Sequence, residues 1–146
     1  MNRISKATIT AATAACLLLG TGTAAHADTV VDGENFSKVT QTTAAGYAEA
    51  EAWWSDTTRT PVYSKTSTTY VTGYFGDTNS GYTMNGWLER STDGGASWYT
   101  VSGVHSLSGN SSAETDAYYD GPGYLARSCF QFTSWSGAAV HCSHGI

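Results

Sequence analysis

Short runs rich in threonine, valine and aromatic residues are separated, again and again, by tight clusters of glycine, aspartate, asparagine and serine. This rhythm constrains the chain more than any other feature. Residues 67–76 (STTYVTGYFG), 82–91 (YTMNGWLERS), 97–101, 113–119, 124–133 and 138–142 have strand composition. Between them lie Asp77-Thr78-Asn79-Ser80-Gly81, Asp93-Gly94-Gly95, Ser108-Gly109-Asn110-Ser111 and Asp120-Gly121-Pro122-Gly123. Each cluster supplies the backbone freedom or the side-chain capping that a turn needs. Six to eight short strands at this spacing predict an all-β domain, a single antiparallel β-sandwich or small barrel.

The C-terminal run adds a register. Cys129 and Cys142 flank Ser134-Trp135-Ser136-Gly137. A four-residue turn there pairs Thr133 with Ala138. Stepping outward, it places Gln131 opposite Val140, Phe130 opposite His141, and Cys129 opposite Cys142. One disulfide is therefore expected, closing a 14-residue loop worth about 3 kcal/mol in the loop-entropy model. Trp135 would stand at the tip, either tucked onto the sheet or presented to a partner.

Residues 91–98 (STDGGASW) resemble the Asp-box, S-x-D-x-G-x-[ST]-W, of secreted β proteins. The pattern, opened by Ser91, describes a hairpin: the Asp93 side chain accepts backbone N–H bonds across the turn, Gly95 takes a positive φ, and Trp98 packs beneath. In the families that carry it the box is structural. It occurs once here, and the chain is too short for a propeller, so glycosidase activity does not follow from it.

Residues 44–55 (AAGYAEAEAWWS) are ambiguous. Alanine and glutamate favour helix. Yet Ala48, Ala50, Ala52 and Trp54 alternate with Tyr47, Glu49, Glu51 and Trp53, the period of a strand, which is the reading we favour. Adjacent tryptophans would then point to opposite faces, and both could be buried only where both faces are covered. Residues 28–43 show no sustained period. They read as an N-terminal arm or an edge strand, with Val30, Val31 and Phe36 available to a partner.

The N-terminus reads as an export signal over residues 1–27: basic Arg3 and Lys6, an apolar run ending Leu17-Leu18-Leu19, and Ala25-His26-Ala27 for cleavage. The remaining β domain over residues 44–146, with its arm, would be secreted and extracellular. That mature chain carries five Lys/Arg against twelve Asp/Glu, a net charge of −7. Such a surface repels phosphate backbones and anionic lipid, so neither nucleic acid nor a membrane is an expected partner.

No signature of a nucleophile, zinc site or phosphate loop is present. His141 and His144 face opposite ways if they lie on a strand, which argues against a metal pair. Glu49 and Glu51 share a strand face about 7 Å apart, a spacing known from glycosidases but one that a solvated polar face explains better. No catalytic residue, metal or cofactor is expected. The five tryptophans and nine tyrosines exceed what a core needs, and with serine, glycine and asparagine they suit a surface that binds protein or sugar.

The layout as a whole resembles small exported β proteins of actinobacteria. The features are the AHA signal, a polar arm, GWLERSTDGGASW, YYDGPGY and CFQFTSWSGAAVHC. One such group is the adaptor subunit of umbrella-shaped antibacterial toxin particles. The resemblance implies a disulfide-bonded β domain that joins a lectin subunit to a large toxin subunit, with the N-terminal extension in the lectin's cleft. The expected function is thus a non-enzymatic secreted protein-binding module, an adaptor in a toxin assembly. The alternatives are a secreted inhibitor of a protease or glycosidase, or a carbohydrate-binding module.

Overall fold

A computed structural model describes residues 27–43, 45–134 and 138–146. The expected signal, apart from Ala27, and Trp135 lie outside them. The described residues form two antiparallel sheets packed as an open sandwich, with no helix. No helix among them is therefore long and apolar enough to cross a membrane.

The first sheet joins β1 (Thr29–Asp32), β2 (Phe36–Thr43), β3 (Gly46–Ser55), β4 (Tyr70–Asp77) and β8 (Ser111–Glu114) in that order, with β9 (Tyr118–Tyr119) also on β4. The second joins β11 (Val140–Cys142), β10 (Leu125–Phe132), β5 (Thr83–Ser91) and β6 (Tyr99–Thr100), with β7 (His105–Ser108) also on β5. The described strands outnumber the six to eight expected because several are fragments of two to four residues. The run 113–119 shows why. Thr115 interrupts it: its amide donates to the Gly73 carbonyl (2.9 Å), and its hydroxyl, not its carbonyl, accepts from the Gly73 amide (3.0 Å). A side chain thus replaces a ladder bond, and the run splits into β8 and β9.

Residues 46–55 are a strand, as the alternation indicates. Ala48, Ala50 and Ala52 are fully buried on the inner face. The two inner faces complement each other in size. The first sheet contributes these alanines, Gly73, Val39 and Val71, and the second contributes Met84, Leu88, Phe130 and Phe132. Phe75 reverses the pattern and projects from the first sheet onto Gly86 of the second, where an added Cβ would lie 2.4 Å from the ring. The Ser128 hydroxyl crosses between the sheets to the Glu51 carbonyl (2.8 Å).

The C-terminal hairpin has the register read from the sequence, with Cys129 opposite Cys142 and the disulfide closed between them. Their Cα atoms are 4.1 Å apart, near the spacing of a non-hydrogen-bonded antiparallel pair.

Trp53 and Trp54 are each half-buried, one on each face of β3. Outside, Trp53 stands between Phe36 and Thr72 in the register. Beside it Ser55 and Thr72 are fully buried and bonded to each other (2.9 Å). There the chain after β3 turns back, with Ser55 bridged to Pro61 and the Val62 amide donating to the Trp54 carbonyl. Inside, the Trp54 ring meets the Lys65 ammonium at 5.6 Å. Both faces are therefore covered at this end of β3, whereas at the other end Ala48 is buried inside and only the outer face, at Tyr47, is open.

Candidate binding surfaces

Residues 29–43 form a hairpin. β1 pairs with β2 from Thr29–Thr40 to Asp32–Ser37, and β2 in turn pairs along its length with β3. Val39 of β2 is fully buried in the core. β1 ends the sheet, and no described strand pairs with its outer edge. Its alternation divides the side chains. Asp28, Val30 and Asp32 turn inward, whereas Val31 lies beside Lys38 on the outer face and is 47% exposed.

The inward residues fasten β1 to the opposite sheet. Asp28 meets the Nδ1 of His141 at 2.6 Å, Val30 packs against the core, and Asp32 meets the Nδ1 of His144 at 2.8 Å. The other carboxylate oxygen of Asp32 accepts from the Ser37 hydroxyl. These bonds, first that from Ser37 and then that with His144, hold the Asp32 carboxyl below its ordinary range. The two imidazoles therefore do not converge. His141 stacks on Phe130 at 5.0 Å, while His144 stands at the surface. His105 packs near Phe75, with ring centroids 5.6 Å apart.

Phe36 opens β2 on the outer face, and its ring lies across Gly33 in the β1–β2 turn. Of the proposed partner-binding residues, Val31 and Phe36 share this face and Val30 does not.

Further along the outer face the register sets Lys38 opposite Glu51, Thr40 opposite Glu49 and Thr42 opposite Tyr47. Lys38 pairs diagonally with Glu49 at 3.5 Å. Burial pushes the Glu51 carboxyl up, against the pull of Lys38, and the neighbouring Glu49 adds to the rise. Lys38, Thr40, Thr42, Tyr47 and Glu49 line an open depression of about 680 Å³. The alternation of residues 47–53 places Tyr47 and Glu49 on one face. Lys38 and the threonines join them only through the β2–β3 pairing.

The Asp-box segment is a tight hairpin on the second sheet. Asp93 accepts from the Ser91 hydroxyl (2.7 Å), the Ser97 amide (2.9 Å) and the Ser97 hydroxyl. These bonds, that from the Ser97 hydroxyl foremost, lower its carboxyl to about 2. Gly95 has φ +92°, and its carbonyl accepts from the Trp98 indole. The Trp98 ring lies 4.2 Å from the Arg127 guanidinium, which binds Glu89 at 2.7 Å. Glu89 also approaches Cys129 and Cys142, but their sulfurs are in the disulfide and offer no thiolate to a metal.

One buried ion pair was not evident from sequence. Asp120 is fully buried beside the Lys65 ammonium (2.9 Å), which also donates to the Tyr124 carbonyl. Burial raises the Asp120 carboxyl, and Lys65 and Arg90 oppose that rise. The pair ties the loop before β4 to the loop before β10. Fifty-five residues separate its members, so no local pattern announces it.

Comparison with protein families, curated proteins and solved structures yields no match.

Proposed function

We propose that this protein is a non-enzymatic, secreted protein-binding module that takes a partner strand onto the β1 edge of its six-stranded sheet. The observation that supports this reading is the β1 edge itself. A terminal strand presents backbone N–H and C=O groups that a partner strand can pair, and its alternate side chains supply selectivity. β1 also has the rigidity such a template needs, because Asp28, Val30 and Asp32 are all held against the other sheet. Four residues at about 3.3 Å each give an edge roughly 13 Å long, which suits a modest interface supplemented by Val31 and Phe36. The finer reading follows from the layout resemblance: an adaptor between a lectin subunit and a large toxin subunit, exported after cleavage at Ala27.

The test begins with tagged protein recovered from culture fluid. Its N-terminus is expected at Asp28, and a co-exported protein is expected to stay with it in stoichiometric amount. Hydrogen exchange on the complex should then protect the alternate amides within residues 29–32 that point away from β2. Val31→Lys, which places a charge on the edge without disturbing the core, should release the partner while the melting temperature stays unchanged. Protection confined to another surface would refute the reading, as would a protein that is never exported.

A further inference from the structure

We propose that the depression at the open end of the outer face, centred on Tyr47, binds a neutral oligosaccharide. This site is separate from the backbone edge of β1.

Three observations converge on a polyhydroxylated, uncharged ligand. The first is an exposed aromatic ring on a fixed backbone. Tyr47 is 41% exposed, yet its backbone is clamped. Its amide donates to the Thr78 hydroxyl (2.9 Å), and its carbonyl accepts from both the amide (2.9 Å) and the hydroxyl (3.1 Å) of Thr78. Gly46 allows this close approach: at φ +144° an added Cβ would lie 2.7 Å from the Thr78 carbonyl oxygen. An exposed ring on an immobilised backbone loses little freedom on stacking against a ligand, which is how tyrosine serves in binding sites.

The second is the polar surround. Lys38 and Glu49 stand across the depression as a pair, offering donors and an acceptor with no net charge between them. Among the described residues the hydroxyls of Thr40 and Thr42 have no protein partner, so they can meet ligand hydroxyls without breaking an internal bond.

The third is charge and shape. The acidic chain and the two glutamates on this face disfavour an anionic ligand. The depression is open and lies along the strands. Along β2, from Lys38 to Thr42, it extends about 13 Å, room for a segment of a linear chain rather than a buried monosaccharide. Its 680 Å³ falls within the roughly 300–1,000 Å³ of small-ligand sites.

The test is a titration of the isotope-labelled mature protein, followed by amide chemical shifts, with cellohexaose, chitohexaose, xylohexaose and mannohexaose in turn. A hexalysine peptide is the charged control. At least one sugar should give saturable shifts at Lys38, Thr40, Tyr47 and Glu49. Tyr47→Ala should weaken that binding at least tenfold. Tyr47→Phe, which keeps the ring, should remain within about twofold of the parent. Tyr47→Ala should keep the protein partner bound, so loss of the protein partner and loss of the sugar are read separately. The proposal is overturned if no sugar shifts these residues at millimolar concentration, if the shifts map elsewhere, if Tyr47→Ala binds normally, or if only hexalysine binds.

Discussion

The contact between Phe75 and Gly86 offers a sharp test of how the two sheets are held apart. A Cβ built on Gly86 lies 2.4 Å from Cγ of Phe75 and 2.5 Å from Cδ1. Carbon atoms in ordinary contact are about 3.5–4.0 Å apart, so Gly86→Ala requires a shift of about 1 Å. Phe75 has no free space to supply it. The residue is fully buried, and His105 packs against its ring. Two opposing effects decide the sign. Replacing a glycine within a strand gains about 0.5–1 kcal/mol of backbone entropy, and Gly86 is not among the positive-φ glycines that would forfeit it. Overpacking a closed core costs about 1–3 kcal/mol. The clash prevails, and Gly86→Ala should destabilise the domain by about 1–2 kcal/mol. Equilibrium urea unfolding of the disulfide-intact protein would measure it, with Phe75→Leu as the second arm of a double-mutant cycle. Phe75→Leu alone leaves a cavity and should also destabilise. In combination, the alanine methyl occupies space that the ring vacated, and the double mutant should be more stable than the sum of the singles predicts by at least about 1 kcal/mol. Gly86→Ala within about 0.5 kcal/mol of the parent, or strict additivity, would refute the account of how the sheets interlock.

Three further outcomes are expected. Replacing Cys129 and Cys142 by alanine should remove about 3 kcal/mol, the value of a 14-residue loop, seen as an equal loss on reduction of the parent by thermal melting. Asp93 titrates at about 2 in the folded chain against an ordinary 3.8, so its contribution is complete above about pH 4 and is lost as pH falls toward 2; Asp93→Asn should flatten the acid limb of a stability–pH curve in that window and leave neutral pH behaviour without a titration step. Lys65→Met strands the buried Asp120 carboxylate and should cost about 3 kcal/mol by urea unfolding, whereas Lys38→Met breaks a partly exposed pair and should cost under about 1 kcal/mol; equal effects would refute the distinction drawn between them.

Local relationships in this chain were readable without a structure. The two cysteines belong to one hairpin, so turn length and antiparallel counting suffice to set them opposite each other, and the bond is found there. The period-2 burial of Ala48, Ala50 and Ala52 decides strand over helix for residues 46–55 against their intrinsic propensity, because three small side chains on one face fit beneath the large ones of the other sheet. What lay beyond reach depends on partners far apart in the chain. Alternation says that Glu49 and Tyr47 share a face, but only the β2–β3 register brings Lys38 and the threonines beside them. Likewise, nothing within residues 28–32 announces that Asp28 and Asp32 will meet His141 and His144, more than a hundred residues away. Nor does the composition of 113–119 reveal that the Thr115 hydroxyl will take a backbone place opposite Gly73. A strand's side-chain period is a property of its own backbone and can be read from a few consecutive residues. Which strand lies next to it, and which groups that neighbour delivers, is decided by how two whole sheets bury their apolar faces together.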